Sequence, residues 1–358
     1  MAGLTLFVLF LSACDLVDTE DSSDDGELGD WLIPSDEIFD GGPGQDGIPS
    51  IEDPEFERAD NTDYVSDNRL VVGIRIGDDI RAYPHQIMDH HEIVNDHIDD
   101  KAVAVTYCPL TGTGIGWDRE INGTETEFGV SGMLFRNNLI AFDRETESYW
   151  PQMQLRSAHG DFKGLDIETY KVVETTWETW SEMYPDSEVI TTETGFDRNY
   201  NTFVYGGDYD TNDDRILFPI ANQDDRLPNK ERVHGVIGDR PADEDASVTA
   251  YVIDEFAEGI ELIEDQVGTD EYIIAGSSGH NIATAFEREL EDGSRPEFQP
   301  VLDELPVIME DEQGNRWDLF GVAVDGPRAG ESLIPATSYT GYFFAWADFF
   351  PDMNIYEH

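Results

Sequence analysis

Cysteine, lysine and positive charge are the scarce things in this chain. Two cysteines in 358 residues exclude a disulfide framework. Lysine occurs only at Lys101, Lys163, Lys171 and Lys230, within 21 basic residues set against 78 acidic ones, for a formal net charge of −57. With no basic cluster to neutralise phosphates, nucleic acid and an anionic membrane surface are excluded as partners. The acid is spread along the whole length, the pattern of a halophilic surface kept soluble where salt screens repulsion within a few ångströms. Also missing are a Gly-rich phosphate loop, a serine nucleophile elbow, an H-E-x-x-H helix and a paired C-x-x-C. "GTGIGW" lacks the strand and helix that a dinucleotide site needs around its glycines.

What is present begins with "LTLFVLFLSAC", an apolar run too short to span a bilayer, closing on Leu11-Ser12-Ala13-Cys14. It resembles the lipobox of bacterial lipoproteins, in which the bond before the cysteine is cleaved and the thiol is lipidated. The expectation is a signal peptide over 1–13 and a membrane anchor at Cys14, outside the cytoplasm in the cell envelope. Residues 14–50, rich in Asp, Gly and Pro, read as an acidic flexible tether.

The body reads as β-rich α+β, with mostly antiparallel sheets. "RLVVGIRI", "DIRAYP", "AVAVTYC", "GIGWDRE" and "NLIAFDRE" carry the β-branched and aromatic residues of strands, bounded by Gly, Asp or Asn. Short helices are expected near 84–96, opened by Pro84, and near 176–184, stopped by Pro185. The chain also repeats itself. Gly160, Gly164, Trp180 and Pro185-Asp186 recur 166 positions later at Gly326, Gly330, Trp346 and Pro351-Asp352, and Ala82-Tyr83 recurs 168 later at Ala250-Tyr251. Two related halves are expected, 51–229 and 230–358. At nearly the same shift His91 faces Gly259 and Cys108 faces Ser277, so only the first half keeps a histidine and a thiol.

That asymmetry makes Cys108 and His91 the leading candidates. Cys–His pairs serve nucleophilic catalysis and bind soft transition metals such as copper or zinc. Against this, a lone thiol is often only a small buried hydrophobe. Glu92 joins the pair as a catalytic candidate, with Asn95, Asp96, Tyr107, Arg136 and Asp143 as ligand-binding candidates. His90 and His91 point about 100° apart on a helix and do not share one face. His85, His90 and His97 are weaker candidates. "GGDYDTNDD" imitates the start of a calcium loop but lacks its glycine and closing glutamate.

"AYPHQIMDHHEIVND", "VTYCPLTGTGIGWDRE", "FGVSGMLFRNNLIAFDRETESYW", "LPNKERVHGV" and the closing "GYFFAWADFFPD" together resemble the prokaryotic domain of unknown function 3179 family. Its pattern falls on Ala82-Tyr83-Pro84, His91 to Asp96 and Tyr107 to Leu110, while Thr111 stands where the family has a second cysteine. The resemblance implies the site more than a reaction. Two functions remain open: a redox or metal-assisted activity at Cys108 and His91, or an envelope module that captures a small ligand or a protein partner between its halves.

Overall fold

The structure, a computed structural model, describes residues 30–238 and 246–358. Cys14 and the signal segment lie outside the described residues. Among the described residues strands dominate, the sheets are mostly antiparallel, and α-helix is confined to α1 (His85–His91), α2 (Trp177–Met183) and α3 (Phe343–Phe349).

One sheet runs in the order Val172–Thr176, Leu70–Ile76, Asp79–Pro84, Glu188–Ile190, Phe56–Arg58. Another runs Ser338–Tyr342, Arg232–Gly238, Ser247–Val252, Asn354–Ile355. In both, the strand after the helix pairs parallel with its neighbour, Glu188–Ile190 on Asp79–Pro84 and Asn354–Ile355 on Ser247–Val252, while the other pairs are antiparallel. Two antiparallel meanders accompany these sheets, Ile93–Ile98, Lys101–Cys108, Thr113–Asp118 and Glu261–Val267, Asp270–Ser277, Ile282–Glu287.

Individual contacts correspond too. The Trp180 ring lies over Gly73 and the Trp346 ring over Gly235, where an added Cβ would stand 1.9 Å and 2.4 Å from ring carbons. Only glycine lets each indole settle that close to its sheet. The Tyr83 hydroxyl donates to Asp96 and the Tyr251 hydroxyl to Asp265. The Trp150 indole donates to Asp143 at 3.0 Å and the Trp317 indole to Asp311 at 3.2 Å.

The stretches before and after residue 230 each hold one apolar cluster of their own and share two more. One apolar cluster joins Cys108, Trp117, Phe128 and Trp150 to Val233, Phe343, Trp346 and Phe349. Backbone also crosses the seam, with Tyr342 N donating to Thr111 O at 2.8 Å.

Two expectations change in detail. The helix expected over 84–96 covers only its first part. Glu92 takes the left-handed conformation (φ 59°), its N–H closing on Met88 O, and Ile93–Ile98 is a strand. Ile93 and Val94 are β-branched, which favours the pleated conformation over a continued helix. The stretch read as tether contributes structure from residue 30: Ile33 is buried, Ile38–Asp40 pairs with Phe128–Phe135, and Asp46 pairs with Arg144 at 2.9 Å.

Candidate functional site

Lys101–Cys108 is a strand, so successive side chains alternate between its faces. Tyr107 therefore faces one way, among Ile87, Met88 and Val105, while Cys108 faces the other, among Leu110, Ile115 and Trp117. Cys108 is 1% exposed, and its thiol donates to Asn137 O at 3.7 Å. Burial pushes that thiol up to about 11, and the nearby carboxyl of Glu92 adds to the effect.

His91 looks elsewhere. Its Nδ1 sits 2.8 Å from Pro49 O and its Nε2 2.7 Å from the Tyr200 hydroxyl. Burial lowers its imidazole to about 4, so at neutral pH the ring and the thiol are both uncharged. Both ring nitrogens are engaged, and no hydrogen bond joins His91 to Cys108. Glu92 is buried, which raises its carboxyl to about 8, and it accepts from the Tyr205 hydroxyl at 3.4 Å. Among the described residues no three His, Cys, Asp or Glu side chains are grouped to hold a metal ion.

The other candidates are mostly committed to local structure. Asn95 clasps Phe128 through both backbone groups, at 2.8 Å and 2.9 Å. Asp96 accepts from Arg81 at 2.6 Å and from Tyr83. Arg136 pairs with Glu37 and donates to Asp348 O at 2.8 Å, tying its turn to the end of α3. Asp143 accepts from Thr146 N, Ser148 N and the Trp150 indole. His90 contacts Thr202 O, and His97 pairs with Glu125 at the surface. In the acidic loop Asp208 is taken up by Arg215 and Asn212.

Tyr107, together with the weaker candidate His85, reaches a cavity. It shares a space of about 220 Å³ with Arg69, His85, Asp89, Asp210, Lys230, Arg232 and Tyr342. The cavity lies at the seam: α1 and the start of Leu70–Ile76 form one wall, and Arg232–Gly238 with Tyr342 form the other. His85 and Asp89 stand four residues apart on α1, which places both on one helix face. Gly112 has φ 63°, and an added Cβ there would stand 3.1 Å from the Tyr342 ring.

Charge inside this cavity is imperfectly matched. Glu174, behind the wall, lies 2.8 Å from His85 Nε2 and 3.2 Å from Arg232. The His85 contact has ion-pair distance without hydrogen-bond alignment, so His85 Nε2 keeps no hydrogen-bond partner. Burial lowers His85 even though Glu174 opposes the shift. Asp89 Oδ1 and Lys230 Nζ are buried and also unpartnered. Burial holds Asp89 well above the usual carboxylate range and drops Lys230 to about 7. Orphaned buried polar atoms cost stability, and several facing one cavity are what a ligand would satisfy.

A family model described as "Protein of unknown function (DUF3179)" matches residues 45–353. The chain belongs to this family. No curated protein and no solved structure matches it. All the cavity residues fall inside the matched span, and Lys230 and Arg232 belong to the "LPNKERV" stretch that carries part of the resemblance. The histidine run drew attention to His91. The i, i+4 pair His85 and Asp89 was the better signal, but nothing in the sequence ties it to residues 69, 230 and 232.

Proposed function

We propose that this DUF3179 protein binds a small anionic molecule, of the carboxylate or phosphate class, in the cavity between its halves. One observation carries the reading. Three of the 21 basic residues of a chain with net charge −57, namely Arg69, Lys230 and Arg232, line one cavity of about 220 Å³. Among the described residues the Arg69 side chain has no hydrogen bond or ion pair, and Lys230 Nζ has none either. Guanidinium groups suit planar anions because they donate two parallel hydrogen bonds. A volume this small suits a metabolite smaller than a drug-sized ligand.

Titration calorimetry with oxalate and with inorganic phosphate, in molar potassium chloride, tests the reading and separates the two anion classes. Saturable binding of either is expected, weakened at least tenfold in Arg69→Ala and in Arg232→Ala. Binding that neither substitution changes would defeat it.

The matching strand orders and contacts support descent of the halves from one duplicated unit, with the first half supplying α1 and the second supplying Lys230 and Arg232. The Leu-Ser-Ala-Cys ending at Cys14 supports an exported, lipid-anchored protein of the cell envelope. Cys14→Ala should release it from the membrane fraction, and unchanged retention would refute that location. No observation favours a redox or metal-assisted reaction at Cys108 and His91.

A further inference from the structure

Lys230 differs from the other described lysines. Lys163 pairs with Asp30 at 2.6 Å, Lys171 donates to Ala285 O at 2.9 Å and to Ser338 Oγ at 3.2 Å, and Lys101 is exposed. Lys230 is buried with no acceptor for its amine. Nζ stands 3.4 Å from the centroid of the Tyr209 ring, 4.7 Å from that of Tyr342 and 4.9 Å from that of Phe344. If an aromatic cage for a cation were all that was needed, arginine would serve, and this chain uses arginine for all but four of its 21 basic residues. A desolvated amine caged by aromatic rings, lining the same cavity as a buried carboxyl, is instead the arrangement that activates lysine as a nucleophile.

We propose that Lys230 is a nucleophile that forms an imine with a small 2-oxo acid held in this cavity. The inference rests on the anion-binding reading of the same site. Arg69 and Arg232 hold the carboxylate of the ligand, and its carbonyl faces Lys230 and Asp89. The neutral amine adds to the carbonyl carbon, forming the C–N bond. The Asp89 acid supplies a proton, and the former carbonyl oxygen leaves as water when the C–O bond breaks. Amine, carbonyl and carboxylic acid become iminium, water and carboxylate, with atoms and charge balanced and no oxidant or reductant needed. The amine is available near neutral pH because burial lowers it to about 7, against the opposing charges of Asp210 and Asp213 and with the help of Arg215. Arg69, His85, Asp89, Tyr107, Tyr209, Arg232 and Tyr342 are the other titratable groups around the cavity and its amine.

Full-length protein is incubated with pyruvate, reduced with sodium borohydride, digested and mapped by mass spectrometry. With only four lysines, the modified position is read without ambiguity. One reduced pyruvate on Lys230 is expected, absent from Lys230→Arg, which keeps the positive charge. Calorimetry with L-lactate, which has the carboxylate but no carbonyl, runs in parallel on the parent, and a retained cooperative thermal melt of Lys230→Arg shows that the fold survives the substitution. If lactate binds the parent and Lys230 is not labelled, or Lys171 is labelled instead, the imine is overturned while the anion site stands. If neither lactate nor pyruvate binds while oxalate or phosphate does, the imine falls and the anion site stands; if none of the four binds, both fall.

Discussion

Replacing Lys230 with methionine should make this protein more stable. Methionine keeps an unbranched stem and a polarizable end against the rings of Tyr209, Tyr342 and Phe344, while the buried amine is removed. The folded amine titrates at about 7 and the free one at 10.5. Because the folded value is depressed, the unfolded chain binds more protons between those two pH values. The folded state therefore suffers no penalty above about 10.5. The penalty grows as the pH falls and is complete below about 7. At about 1.4 kcal/mol per pH unit the ceiling is about 5 kcal/mol. Relaxation and water entry reduce such figures, so a gain of about 2–3 kcal/mol at pH 7 is the working expectation. Urea unfolding of both proteins at pH 7 and at pH 10 measures it, in molar salt so that the loss of one positive charge from a chain of −57 is screened. If Lys230→Met is no more stable at pH 7, or if its advantage does not shrink toward pH 10, the amine is not held at a cost and the case for a retained nucleophile fails.

Cys108, with its thiol pushed up to about 11, should be about a thousandth thiolate at pH 8. Native iodoacetamide labelling at that position should be far slower than in urea, and a free-cysteine rate would contradict the burial. Glu92→Gln should stabilise the fold increasingly as pH rises from 4.5 to about 8, because a raised acid makes the folded state bind the extra proton over that window. A pH-independent difference between the two proteins in urea melts would argue against it. Gly73→Ala should cost about 1–3 kcal/mol by overpacking, since the new Cβ would stand 1.9 Å from the Trp180 ring. Pairing it with Trp180→Leu should recover part of that loss, and no recovery would show the strain to lie elsewhere.

Much of the fold is local information. The strand runs were legible because β-branched and aromatic residues alternate between turn residues. The helix near 176–184 was legible because Pro185 stops it, and α2 runs Trp177–Met183 with the Thr176 hydroxyl accepting from Thr179 N at 3.3 Å. The end of α1 was not, since "HHEIVND" carries no glycine or proline to announce the left-handed turn at Glu92. The recurrence of Trp180 at Trp346 was legible in the sequence, but the glycines their indoles lie over, Gly73 and Gly235, are not among those that recur with them.

The site divides along the same line. By itself the sequence determined that Tyr107 and Cys108 point opposite ways, that His85 and Asp89 share a helix face, and that positive charge is scarce enough for any cluster of it to matter. These are consequences of the periods of strand and helix and of composition, which need no long-range contact. Which face of the Lys101–Cys108 strand meets a cavity was decided only by the tertiary structure, as was the meeting of Arg69, Asp89, Lys230 and Arg232. The core shared by the two halves seals Cys108 on one side of that strand and leaves the seam open on the other. Residues more than a hundred positions apart are brought to one cavity by how the halves dock, and docking depends on the summed burial of many apolar side chains rather than on any one segment.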